Sequence, residues 1–80
     1  MVIPMNKYNF EGREIESSLD QSILDYVAGS AIAYKSFVNA KLVKPARERA
    51  EFINGVLSGL EVAHLIDSEE RDKLLIFFTG

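Results

Sequence analysis

The chain contains no cysteine and no tryptophan, and only two prolines, five glycines and one histidine in 80 residues. Without cysteine there is no disulfide scaffold, thiolate metal site, thiol nucleophile or iron–sulfur centre. A zinc site would have to be assembled from His64 and carboxylates such as Glu61, Asp67 or Glu70, a donor set that structural zinc rarely accepts. Any Ser–His–acid arrangement would draw on the same lone imidazole, in a domain with little volume for a pocket. No glycine-rich loop follows a strand and opens a helix, as a nucleotide fingerprint requires. A basic excess is also missing: nine Lys plus Arg stand against twelve Asp plus Glu, for a net charge of −3 and a pI near 5.0. Such a balance gives no global attraction to nucleic acid or anionic lipid. The longest uninterrupted apolar run, Leu74–Phe78, has 5 residues, where crossing a bilayer takes about 20. The opening MVIPMNKYNFEGRE lacks the basic region and apolar core of a secretory signal. These absences exclude most enzyme classes and lead to the expectation of a cytoplasmic protein that is not an enzyme and uses no cofactor and no metal.

What is present is helical periodicity. With 48% apolar residues, a chain of this size forms one domain and buries only about 60–65% of its surface, so its core is marginal. Residues 1–12, with Ile3, Tyr8 and Phe10 between polar residues, read as an extended arm whose aromatics anchor it to a helical surface. From Glu14 the spacing of Ile15, Leu19, Ile23, Tyr26 or Val27, Ala33 or Tyr34, and Phe37 predicts a first helix over 14–40. Glu14, Glu16 and Asp20 suit its N-terminal dipole, and Gly29-Ser30 in its middle leaves a break there open. Pro45 suits a first helical position. After it, Ala46, Ala50, Ile53, Leu57, Leu60 and His64 define one seam of a second helix over 45–65. His64 at the end of that seam reads as a capping or partly buried residue. Gly55 and Gly59 on an adjoining face flatten it enough for another backbone to approach. Asp67 followed by Glu70 has the spacing of a capping box and starts a third helix over 68–78. The expected fold is all-α, a helical hairpin of two long helices with a short C-terminal helix, completed as a dimeric helical bundle.

Two features bear on function. Between Tyr26 and Tyr34 no residue is charged, so the first helix is apolar or small on every side, a pattern that calls for more covering than two other helices provide. Tyr26, Ile32, Tyr34 and Phe37 are therefore the candidate contacts of a protein interface, with a second copy or another protein as partner. The second feature is an uneven charge distribution. Residues 35–49 carry net +4, between segments of −3 and −4. Lys41, Lys44, Arg47 and Arg49 of that basic bend are candidates for contacts with phosphates or with an acidic partner. The expected function is a protein–protein interaction module, a homodimer or a small subunit or modulator of another protein. The alternative is a DNA- or RNA-binding regulator that uses the basic bend. No recognition helix with base-reading side chains and no stacking platform accompanies those cations.

Overall fold

A computed structural model describes residues 5–80; residues 1–4 of the expected arm lie outside the described residues. Five elements follow one another: strands β1 (Asn6–Phe10) and β2 (Arg13–Ser17), then helices α1 (Gln21–Asn39), α2 (Val43–Val62) and α3 (Ser68–Thr79).

The fold is mostly helical but not all-α, because an antiparallel β-hairpin opens it. β1 pairs with β2 in the register Asn6↔Ser17, Tyr8↔Ile15 and Phe10↔Arg13. Tyr8, Phe10, Ile15 and Ser17 are buried on one face, and Lys7, Asn9, Glu14 and Glu16 point to water. Glu11 (φ 51°) and Gly12 (φ 77°) form the connection, a two-residue turn with both central residues left-handed, as the twist of a tight hairpin favours. The four-residue spacing of Ile15, Leu19 and Ile23 places 14–17 in the expected first helix, whereas that segment belongs to β2. Ile15, Ser17 and Leu19 also recur every two; of the three acids expected at the helix N-terminus, Glu14 and Glu16 are outward positions of the strand, and Asp20 stands at the N-cap of α1. The first helix accordingly starts at Gln21 instead of 14, and it runs through Gly29-Ser30 without a break.

The hairpin lies over α1 and α3. Tyr8, Phe10, Phe77 and Phe78 form an aromatic cluster with ring centroids 5.1–6.2 Å apart, and beneath it Leu24, Val27, Ala31, Ile53, Leu57 and Leu74 are buried. Such edge-on ring pairs add about 0.5–1.5 kcal/mol each beyond the area they bury. Arg13 completes the joint. Its guanidinium donates to the Phe77 carbonyl at 2.7 Å, supplying a cation to the end of a helix whose own last turn has none.

α1 and α2 stop in the same way. The amide of Leu42 donates to Phe37 O and that of Lys41 to Val38 O; at the end of α2, Leu65 donates to Leu60 O and His64 to Glu61 O. Both are Schellman motifs. The left-handed position, where glycine is usual, holds Lys41 (φ 61°) and His64 (φ 62°). At the start of α3 Asp67 accepts from the Glu70 amide at 2.8 Å, but the Glu70 carboxylate does not complete the box. It reaches to Ser17 and Ser18 instead.

Candidate protein-docking surfaces

α2 covers one side of α1, and the hairpin and α3 cover a second. The remaining outer side of the α1–α2 pair is open. Tyr26 of α1 and Phe52 of α2 meet there with ring centroids 6.2 Å apart, although they are 59% and 40% exposed. The Arg49 guanidinium lies 5.4 Å over the Phe52 ring, and Phe37, Pro45 and Glu48 join them around a shallow hollow. Gly55 and Gly59 follow Phe52 by about one and two helical turns on the same side of α2, and Gly29 follows Tyr26 by one on α1. All three are exposed, and a Cβ built on any of them would meet nothing within 4 Å. Packing within the chain therefore does not require glycine at these positions. Each nevertheless costs about 1 kcal/mol relative to alanine in a helix interior.

The four candidate contacts of the first helix do not share this surface. Tyr26 and Phe37 lie on it, Phe37 half-buried. Tyr34 is half-buried and packs against the core. Ile32 is 58% exposed but stands six positions from Tyr26, about 120° around the helix. Phe52, the other half of the aromatic pair, shares a helix face with Gly55 and Gly59 by its spacing in the sequence, but it is not among the candidate contacts.

The basic bend divides as well. Lys41 and Arg47 line a groove of about 310 Å³ floored by Tyr34, Val38, Leu42, Val43, Ala46 and Ala50. Lys44, exposed in the first turn of α2, is not among its lining residues, and Arg49 stacks on Phe52. Among the described residues the ion pairs are Lys35–Glu11 at 3.4 Å, Arg71–Glu61 at 2.8 Å and Arg71–Asp72 at 3.0 Å. None involves these four cations. Of the four, Lys41 and Arg47 share one groove and Arg49 lies on another side against Phe52.

The buried polar groups have structural partners. Tyr8 donates to Asp25 at 2.7 Å; burial first, then that hydrogen bond and the charge of Asp25, push its phenol up to about 12. The Ser17 hydroxyl is fully buried, accepts from the Leu19 amide at 3.1 Å and lies 3.4 Å from Glu70 Oε2. Ser18 donates to the same carboxylate at 2.9 Å, tying the end of β2 to the first turn of α3. His64 sits exposed at the tip of the α2–α3 turn. Among the described residues no group of three or more His, Asp or Glu side chains could hold a metal ion, and no helix is long and apolar enough to cross a membrane. No protein-family model, no curated protein and no solved structure matches the chain.

Proposed function

We propose that this chain works by binding protein in the cytoplasm, as a self-associating subunit or as a small subunit or modulator of another protein, and not by turning over a substrate. The observation that carries the reading is the exposed Tyr26–Phe52 pair beside helix glycines with open space above them. Aromatic rings give large, rigid contact area at little entropic cost, and glycines let an opposing backbone come close. An isolated small domain gains nothing from either feature, and three open glycines sacrifice about 3 kcal/mol of helix stability. Two adjacent helices of this length present a side about 30 Å long and 20 Å wide, enough to bury roughly 1,000–1,200 Å² in a complex, at the low end of specific interfaces. The non-catalytic part of the reading is supported by the roles of Tyr8, Ser17 and the half-buried Glu70, each of which holds one element to another.

Sedimentation equilibrium over a concentration series tests the proposal for self-association. The wild-type mass is expected to rise with concentration at low and high salt alike, because apolar contact drives it, and Phe52→Glu is expected to lose the species that persists at high salt, with unchanged helicity. Identical masses for the two proteins, rising or not, would count against the outer face as a self-association site. Complexes that form only with oligonucleotide and vanish at high salt would favour the nucleic-acid alternative.

A further inference from the structure

The two ends of α2, about 30 Å apart, carry exposed aliphatic side chains framed by opposite charge. At one end, where α1 turns into α2, Val38, Leu42 and Val43 are 47%, 49% and 67% exposed around the groove that Lys41 and Arg47 border. At the other, where α2 turns into α3, Val62 and Leu65 are 79% and 53% exposed. Residues 61–72 there hold Glu61, Asp67, Glu69, Glu70 and Asp72 against Arg71 alone.

We propose that these ends bind each other between copies, the α2–α3 turn of one chain seating its Val62 and Leu65 in the groove between α1 and α2 of the next.

Three observations support a second copy as the occupant. Both complementary surfaces belong to the chain itself: a concave end whose cations form no ion pair among the described residues and a turn with an excess of carboxylates. The cations are unfavourably placed in the isolated molecule, since Lys44 and Arg47 stand near the positive end of the α2 dipole, whose first turn holds no acid. Carboxylates from a neighbour, Glu69 in particular, would neutralise them, and Glu69 has no ion-pair partner of its own among the described residues. Finally, the groove is floored by aliphatic side chains and Tyr34 rather than by hydrogen-bond donors, which suits an aliphatic turn better than a phosphate backbone.

The contact joins unlike surfaces, so a pair of copies still presents one free end of each kind, and addition continues unless the rotation closes a ring. It is also small, and small contacts are weak and transient. It does not use the Tyr26–Phe52 side, so either association can fail without the other.

Sedimentation velocity at about 1 mM protein, a concentration suited to weak contacts, tests it with two variants that the fold accepts. Val43→Glu places a carboxylate at the groove and at the N-terminus of α2, and Val62→Lys places a cation at the acidic turn and at the C-terminus of the same helix; each suits the α2 dipole. Wild type is expected to show a mass distribution that grows with concentration beyond a dimer and shrinks as salt rises from about 50 to about 500 mM. Each variant alone is expected to lose that growth, and an equimolar mixture to regain larger species because each chain supplies the end the other lacks. An outer-face dimer would survive salt and both substitutions. Wild-type masses equal to those of either variant throughout, or a mixture that regains nothing, would overturn the proposal, as would binding of a single-stranded oligonucleotide that Val43→Glu abolishes without any salt-sensitive self-association.

Discussion

Arg13 and Phe77 are joined twice: the guanidinium donates to the Phe77 carbonyl at 2.7 Å and its carbon lies 4.9 Å from the centre of the Phe77 ring. One side chain thus fastens the hairpin to the last turn of α3, 64 positions away in sequence. Arg13→Ala should lower stability by about 1–2 kcal/mol through loss of a charge-assisted hydrogen bond and a cation–π contact. Arg13→Lys should recover part of that, keeping the charge but not the planar stacking. Urea unfolding followed by circular dichroism measures both; equal stability of all three proteins would show that the hairpin is not held there.

Tyr8 makes stability sensitive to alkali. Its phenol ionises near 10.0 in the unfolded chain and near 12 in the folded one, chiefly because burial opposes the charged form. Below pH 10 both states keep the proton and Tyr8 contributes no pH dependence. Between about pH 10 and 12 the unfolded chain loses the proton first, so stability falls as pH rises. In Tyr8→Phe this alkaline loss should be absent, along with the late component in the ultraviolet titration of tyrosinate.

Lys41 and His64 occupy left-handed backbone positions that favour glycine. Left-handed geometry costs an L-residue roughly 1–2 kcal/mol, and glycine returns about 0.4–1 kcal/mol of that as added freedom of the unfolded chain. Lys41→Gly and His64→Gly should each therefore raise stability by about 0.5–1 kcal/mol, read as a higher denaturation midpoint. The turn residue Glu11 (φ 51°) should respond in the same direction to Glu11→Asn, a residue that tolerates this conformation.

Gly55→Ala and Gly59→Ala separate folding from binding. Open space above both positions means that each change should stabilise the isolated chain by about 0.5–1 kcal/mol. The added methyl groups should nevertheless weaken association through the outer face, because they hold the opposing backbone away. Thermal unfolding of dilute protein and sedimentation of concentrated protein read the two effects independently.

The second and third helices were legible in the sequence from their long stripes, Ala46, Ala50, Ile53 and Leu57 in one and Leu74, Leu75 and Phe78 in the other. Asp67 does cap α3, but α2 begins at Val43, so Pro45 stands third in the helix, where its missing N–H still costs no intrahelical bond, and not at the first position the sequence suggests. The hairpin was not, for a local reason. Its turn uses Glu11-Gly12 instead of an Asn-Gly or Asp-Gly pair, and Ile15 fits both the strand and the helix period, so nothing within ten residues separates the two. Tyr8 and Phe10 do alternate as a strand, but the partner that makes the strand useful is recognised only once Phe77 and Phe78 are seen beneath it. The candidate surface was half legible. The uncharged run from Tyr26 to Tyr34 marked the right helix, yet which side stays open depends on where the hairpin and α3 lie, and they took Tyr34 toward the core and left Ile32 apart from Phe37. Glu70 shows the same limit: its spacing from Asp67 predicts a local cap, and a tertiary contact with Ser17 and Ser18 claims its carboxylate instead.

The most direct test of the protein-binding account is photo-cross-linking in living cells from Phe52→p-benzoylphenylalanine, with the same probe at the outward strand position Glu14 as a control. A discrete adduct from position 52, at twice the chain's mass or at that of one larger protein, weakened by Gly55→Ala together with Gly59→Ala and absent from position 14, is the predicted result. No adduct at 52, or the same diffuse labelling from both positions, would contradict it.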